Sequence, residues 1–533
     1  MPVLIVKLEE GERHIPFIPG QSLRNILDMT DIRVRSGCRG IGACGLCRVR
    51  IIEGEVSKPT LNEHTHLDNA QLAQGIRLAC QVTPEQDLQI VILEFAPKSN
   101  WRRLPGRERW SIKRHPAFTP RNLPRKVKHP YGVAVDLGTT RISLSIYELS
   151  NCEYLAGCYG LNPQMNFGSD VITRLMAASE SQEQAQSISQ QAIETIGDAL
   201  LDIATREGIN LHYVVHLVLV GNTAMLALLS GRNYELLLQP SHWMRVIDCL
   251  PENTKAWVAS WGIYPQAKIE VIPPLSGFVG SDLLAGVVAT HLNKNKTGSL
   301  FIDFGTNSEI ALWDGQILWV TSAAGGPAFE GCGISCGIPA EPGAIYRVNL
   351  KNGTLDFDVI AGGKAQGVCG SGLVDLIAGL VKSGRLTKRG RFVSEVSKEG
   401  FVLVKGEQSI VLTKRDVDIF QRAKAAVGVG IKVLLAKTGM NFKDLQRVCV
   451  GGAFGHSLNV ANAQDIGLLP KIHSNLVELC ENTALTGCEE LLLSSTGTEY
   501  LKSLRERARI INLSQYQNFD DLFFENLYLE SMR

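Results

Sequence analysis

Two segments of this chain share one design, and that repeat constrains the fold more than any other feature. YGVAVDLGTTRISLSIYEL (131 to 149) and SLFIDFGTNSEIALWDG (299 to 315) each read as an apolar strand, an Asp-x-Gly-Thr turn and an alternating second strand. A second pair, LVLVGNTAMLALL (217 to 229) and VCVGGAFGHSL (448 to 458), reads as strand, tight glycine turn and helix start. The order is therefore hairpin, strand-turn-helix, hairpin, strand-turn-helix, which calls for two like α/β halves. A turn after each Asp, allowed by Gly138 and Gly305, presents backbone N–H groups and the hydroxyls of Thr139, Thr140 and Thr306, with Asn307 beside them, to phosphate oxygens. If the hairpins face one another across a cleft, Asp136 and Asp303 hold Mg2+ mostly through water, since that ion keeps several waters and takes few carboxylates. No G-x-x-x-x-G-K-[ST] phosphate loop occurs in the chain.

The first hundred residues carry different chemistry. Cys38, Cys44 and Cys47 in SGCRGIGACGLCRVR and Cys80 in RLACQV give C-x5-C-x2-C with a distant fourth cysteine. Plant-type ferredoxins use C-x4-C-x2-C and a remote fourth ligand. The extra residue matches the spacing of hydroxylase-type ferredoxins, so a 2Fe-2S cluster is the implied cofactor. The alternative is a four-cysteine zinc site, which more often uses two short C-x2-4-C pairs. Gly37, Gly40, Gly42 and Gly45 let the backbone wrap closely around the sulfurs. The flanks read as a β-grasp domain: a hairpin about Glu10-Gly11, a capped helix in QSLRNILDM and a closing strand in LQIVILEF.

Between these regions, Pro97 to Pro130 carries eleven Lys or Arg against the single Glu108, with prolines that interrupt any helix. It reads as an extended, mobile linker, with Trp101 and Trp110 as its candidate docking points. The domain plan is residues 1–96 ferredoxin-like, 97–130 linker, 131–295 the first nucleotide-binding half, and 296–533 the second half with C-terminal helices.

The two-hairpin layout resembles the acetate kinase, sugar kinase, Hsp70 and actin superfamily, whose duplicated RNase H-like halves clamp ATP. That resemblance places Gly451, Gly452 and Phe454 in the adenosine motif. A 2Fe-2S β-grasp domain joined to an actin-like ATPase resembles the reductive activators of corrinoid proteins over nearly the whole chain. The motifs carrying the likeness are NPQMNFGSDVITRL (162 to 175), PPLSGFVGSD (273 to 282), TSAAGGPAFEGCGISCG (321 to 337), GVCGSGLVDL (367 to 376) and GGAFGHSLNVANAQDIGLLP (451 to 470). Some longer members carry a further domain after the linker, whereas here Pro130 leads straight into the first nucleotide strand; a homodimer stays open as the assembly. The resemblance implies ATP-dependent return of a Co(II) corrinoid protein to Co(I), with a low-potential electron donor upstream.

Asp303 is the preferred residue for orienting the attacking water through Mg2+, with Asp136 opposite and Glu309 on the following strand as further catalytic candidates. The loop SAAGGPAFEG either lines the cleft or is a crossover, and Cys332 and Cys336 read as buried thiols. Rival readings are a kinase with an appended redox sensor, an electron carrier with nucleotide as a regulatory ligand, and an ATP-driven activator of another low-potential metalloenzyme. A net charge of +1 gives no global pull toward nucleic acid or membrane. The N-terminus does not read as a signal peptide and no apolar run reaches membrane-spanning length, so a cytoplasmic setting is expected. Thirteen cysteines without a secretion signal argue for thiols and metal ligands over disulfides.

Overall fold

The computed structural model describes residues 2–532, except 9–10, 31, 36–39, 41, 43, 96–100, 105–126, 169, 295–297, 332, 352, 394–399, 407–408, 453 and 455–456. Cys38, Trp110 and Cys332 thus lie outside the described residues.

The N-terminal region is a five-stranded β-grasp sheet. Strands β1 (Val3–Leu8), β2 (Gly11–Pro16), β3 (Arg48–Glu53), β4 (Ile76–Leu78) and β5 (Leu88–Ile92) lie in the order β2-β1-β5-β3-β4, with β1 and β5 parallel. Alternation along β1 buries Leu4 and Val6 in a core shared with Leu23, Ile26, Leu27 and Ile90. The helix Leu23–Asp28 starts where Ser22 Oγ accepts from Asn25 N at 3.2 Å.

Within the expected linker, a short described stretch joins the next unit. Arg102–Arg103 forms β6, which pairs antiparallel with the sheet of the next unit, and Trp101 is buried in that unit's core. An indole buries too much apolar area to stay in a solvated tether when a sheet edge is at hand.

The remaining chain builds two sheets of the same topology. In the first, β7 (Tyr131–Leu137), β8 (Arg141–Glu148), β9 (Glu153–Leu161), β10 (Val214–Gly221) and β11 (Lys268–Val271) lie in the order β11-β10-β7-β8-β9-β6. The second contains β12 (Ser299–Phe304), β13 (Ser308–Trp313) and β14 (Leu318–Ala323). An insertion then supplies a three-stranded sheet, β15 (Ala344–Lys351), β16 (Thr354–Val359) and β17 (Gly367–Val368), and the hairpin β18 (Phe401–Val404) and β19 (Ile410–Leu412). Finally β20 (Arg447–Gly452), β21 (Val477–Leu479) and β22 (Ala508–Ile510) complete the order β21-β20-β12-β13-β14-β22. Each half is an antiparallel three-strand meander extended by parallel strands on the side of its first strand, the RNase H-like plan.

The halves share a core through exchanged helices. Ser281–Ala289 packs on the second sheet and Thr483–Leu493 on the first, and they cross so closely that a Cβ on Gly487 would stand 1.9 Å from Ala285 O. Cys488 on the second helix points its thiol at Val218 O, 3.2 Å away in the first sheet. The thiol is held well above its ordinary range by burial and behaves as a core group.

Candidate functional site

Strand register brings the repeated motifs together. Asp136 pairs across its hairpin with Ser143 and sideways with Val220; Asp303 pairs with Glu309 and sideways with Gly451. Each Asp therefore ends a central strand, beside the turn that follows the neighbouring parallel strand. The hairpin turns close through Gly138 N to Arg141 O at 3.0 Å and Gly305 N to Asn307 O at 3.2 Å. Neither glycine needs a left-handed φ. Gly138 is required for space, since a Cβ there would meet Arg141 O at 2.6 Å, whereas at Gly305 the nearest atom would be 3.3 Å away. Gly452 is the demanding position: φ is +81°, and a Cβ would stand 2.0 Å from Phe304 O and 2.5 Å from Asp303 Oδ1.

The cleft between the hairpins is lined by carboxylates. Burial, then Asp282 and Asp303, hold the Asp136 carboxyl well above its usual range. Burial, with Asp282 and Glu330, lifts Asp303 to about 7, and burial lifts Asp282 to about 6. Glu309 is likewise held up by burial, Asp282 and Asp303. These side chains are half-buried, keeping some solvent access. Arg141, stacked 4.5 Å over the Tyr159 ring, is the cation acting on Asp136 and Glu330. So many carboxylates around one space favour a multivalent cation or shared protons.

Glu330 ties the hairpins together. Its carboxylate accepts from Thr306 Oγ1 at 3.0 Å and from Thr140. The SAAGGPAFEG loop thus lines the cleft, through the short turn Pro327–Glu330. Thr139 is buried, and its hydroxyl accepts from Asn222 Nδ2 at 2.8 Å. The 162–175 motif supports the same hairpin from behind: Asn162 Nδ2 donates to Gly138 O at 2.9 Å, and Arg174 Nη1 donates to Thr139 O at 2.7 Å. The 273–282 motif delivers Asp282 and anchors β10 through Ser281 Oγ, which accepts from Gly221 N at 3.1 Å.

Phe454 is 3% exposed, with its ring packed on Phe304 and Phe329 at centroid distances of 4.8 and 5.5 Å. The ring is thus packed into an aromatic cluster beneath the Gly451-Gly452 turn's strand rather than exposed. Residues 453 and 455–456, where a helix start is expected, lie outside the described residues, and the next described helix is Val460–Asp465, capped by Asn459. Its residue Asn462 donates to Asp375 Oδ1 at 2.7 Å, which links the 451–470 and 367–376 motifs.

At the other end of the chain, Cys44, Cys47 and Cys80 belong to one loop cluster. The Cys47 and Cys80 thiols are hydrogen-bonding neighbours, and Cys44 acts on Cys47. Cys80 is drawn below its ordinary value by Cys47, by Gln81 Nε2 at 3.6 Å, by the Arg24 charge and by the Gly42 N–H. Gly40, Gly42 and Gly45 all adopt left-handed φ, and a Cβ on Gly42 or Gly45 would collide with Asn62 or His66. Sulfurs surrounded by N–H donors and a guanidinium fit an iron-sulfur cluster. Among the described residues, which omit Cys38, no three His, Cys, Asp or Glu side chains are gathered closely enough to hold an ion unaided. The fourth cysteine of the expected set, Cys38, lies outside the described residues. Cys336 is apart from both sites, its thiol lifted to about 12 by burial and Asp416.

Fold and site together define a class: a 2Fe-2S ferredoxin domain joined to an actin-like ATPase. Family models match accordingly, a 2Fe-2S iron-sulfur cluster binding domain over residues 6–85, the RACo middle region over 131–295 and the C-terminal ASKHA domain of RACo over 297–533. The chain is 33% identical over 430 residues to the corrinoid activation enzyme RamQ of Eubacterium limosum, covering 77% of this chain and 72% of that protein. It is 26% identical over 432 residues to the Co(II) methylated amine-specific corrinoid protein reductase of Methanosarcina barkeri, covering 75% and 76%. A solved reductive activator for corrinoid, iron-sulfur protein superposes with a TM-score of 0.66 at 25% identity, covering 100% of this chain and 99% of that one. The chain belongs to the RACo family of reductive activators of corrinoid proteins.

Proposed function

We propose that this chain couples ATP hydrolysis to the return of a corrinoid protein from Co(II) to Co(I), taking electrons from a low-potential donor. The observation that carries the reading is the joining, in one chain, of a thiol loop built for a 2Fe-2S cluster and a carboxylate-lined cleft between two phosphate-facing hairpins. Cys38, Cys44, Cys47 and Cys80 would hold the cluster, which when bound supplies single electrons. Between the hairpins, the backbone N–H groups of Thr139, Thr140, Thr306 and Asn307 would receive the phosphates, Gly138 and Gly305 shaping the turns that present them, with Gly451 and Gly452 beside the adenosine. Asp136 and Asp303 would hold Mg2+, which when bound offsets phosphate charge, and Asp282 would serve as a further carboxylate. Asp303 and Glu309 would orient the attacking water.

ATP is needed because the electron goes uphill. Reduction of a Co(II) corrinoid lies beyond an ordinary ferredoxin potential near −400 mV. Moving a two-state equilibrium from 1:99 to 99:1 takes roughly 5.5 kcal/mol, or about 0.24 V for one electron. Closure of the cleft on nucleotide would favour the partner conformation in which cobalt accepts the electron, and hydrolysis would release it.

The test is anaerobic: reconstituted protein, a reductant and a Co(II) corrinoid protein are mixed, and Co(I) is followed by absorbance with and without Mg-ATP. ATP-dependent Co(I) that is lost in Cys44→Ala and Asp303→Ala is the expected result. A partner that stays Co(II) while the cluster reduces normally would count against it.

A further inference from the structure

The ferredoxin domain is docked on the first half of the ATPase through buried charge. Arg24 Nη2 donates to Glu207 Oε1 at 2.7 Å, and Arg24 Nε stands 3.3 Å from Asp28 Oδ2. Nearby, Arg33 Nη2 donates to Asp202 Oδ1 at 2.9 Å, and Arg103 of β6 donates to Asn25 Oδ1. Arg24 is 0% exposed. It also reaches the cysteine loop: a Cβ on Gly40 would lie 3.0 Å from Arg24 Nη1, and its charge acts on Cys80 and Cys47. One guanidinium is thus shared between the thiols, its own domain's Asp28 and Glu207 of the ATPase, and Glu207 is also met by Arg206, whose Nε stands 3.4 Å from Glu207 Oε1. The contact is incompletely satisfied, since Arg24 Nε and Nη1, both Asp28 oxygens and Glu207 Oε2 are buried without hydrogen-bond partners. Charges buried this way hold a surface in register while opposing its burial.

We propose that docking on Glu207 lowers the reduction potential of the cluster, and that cluster reduction in turn loosens the docking, with Arg24 as the positioning residue that couples the two. This rests on the cluster reading given above. Reduction adds one electron, taken from the low-potential donor, and no bond is made or broken. In the docked domain that negative charge arrives near Glu207, with Arg24 already compensated and the docking face shielded from water. Once the domain is released, Arg24 keeps Asp28 but faces the cysteines without Glu207, and water reaches the docking face. Both changes favour the reduced form, because net charge and solvent exposure set iron-sulfur potentials. Linkage makes the effect reciprocal: the factor by which release favours reduction is the factor by which reduction favours release. The domain would therefore hold fast while it waits for an electron and come free once it carries one.

The experiment is an anaerobic potentiometric titration of the full-length holoprotein, read by visible absorbance and electron paramagnetic resonance. Glu207→Gln should raise the midpoint by about 59 mV, the equivalent of a tenfold change in equilibrium, and Glu207→Asp should restore the wild-type value. Hydrogen exchange over residues 23–28 and 203–207 of the wild type should quicken by a similar factor on reduction. Should Glu207→Gln fail to fold, Asp202→Asn, which loosens docking through Arg33 and also removes a partner of Arg206, should raise the midpoint as well. Equal midpoints in variants that carry intact cluster, or exchange that ignores redox state, would refute the linkage while leaving the cluster reading standing. Failure of the wild-type chain to take up a cluster would overturn both.

Discussion

Gly452→Ala should cripple nucleotide binding while Gly439→Ala should not, although both glycines adopt left-handed φ, +81° and +68°. An L-residue in that region costs roughly 1–2 kcal/mol wherever it occurs. At Gly439, the C-cap of the helix Lys414–Thr438, a new Cβ meets nothing within 4 Å, so the conformational cost is the whole effect. At Gly452 the new methyl would stand 2.0 Å from Phe304 O and 2.5 Å from Asp303 Oδ1. Overpacking of this kind typically adds about 1–3 kcal/mol. The crowding is relieved by displacing either the Asp303 carboxylate or the Gly451-Gly452 turn, so it should appear as lost Mg-ATP affinity. The expected loss is about 5- to 150-fold in Kd. Isothermal titration calorimetry on the holoprotein reads this directly, with cluster absorbance as the check that the ferredoxin domain is undisturbed. Equal Kd values for the two variants would show that the turn beside Asp303 is not part of the nucleotide site.

Arg174→Met should leave Thr139 O and Gly168 O without their donor, at about 1–3 kcal/mol for each unsatisfied group. Weaker ATP binding with an unchanged cluster spectrum is expected, and unaltered binding would remove the 162–175 motif from the nucleotide site. Cys44→Ser should abolish the cluster absorbance while ATP hydrolysis persists, whereas Cys336→Ser should leave iron content unchanged; iron and sulfide analysis with a phosphate-release assay separates them. Lys424, buried and bonded to Tyr528 O at 2.8 Å, has its ammonium drawn down by burial to about 7. The folded protein then holds fewer protons than the unfolded chain between about pH 7 and 10.5, so docking of the C-terminal segment should strengthen as pH rises through that window. Hydrogen exchange over residues 519–529 should show this trend in the wild type and lose it in Lys424→Met; identical slopes would refute the assignment.

Local chemistry was legible before any coordinates. The Asp-x-Gly-Thr hairpins, the glycine turns and the clustered Cys44 and Cys47 draw on neighbours a few positions away, and the β-grasp elements follow from alternation and capping at Ser22. What escaped notice depends on distant parts of the chain. Asp282 and Glu330 lay inside motifs already singled out, yet only the packing of the two halves brings them to Asp136 and Asp303; a lone acid in a run of small residues was the available signal. Phe454 follows the adenosine glycines in sequence, but the aromatic rings it packs on, Phe304 and Phe329, come from two other elements. Trp101 was a candidate docking residue, but its pairing strand could not be read from a basic, proline-rich context. Arg24 and Glu207 are 183 positions apart, and no local pattern marks either one.

The helix Gln182–Glu207 touches both ends of the molecule's chemistry. Near its start, Ile188 O accepts from Gln164 Nε2 at 3.0 Å, and Gln164 neighbours Asn162, which holds Gly138 O of the first phosphate hairpin. At its other end stands Glu207. The span from Ile188 to Glu207 is about 28 Å at 1.5 Å per residue. A rod of that length turns small angles into useful displacements: a tilt of roughly 5° at the hairpin end moves the far end by about 2.5 Å, enough to break a hydrogen bond. Cleft closure around a nucleotide would then act on the ferredoxin domain as a lever acts on a latch, with no need for the two cofactor sites to approach one another.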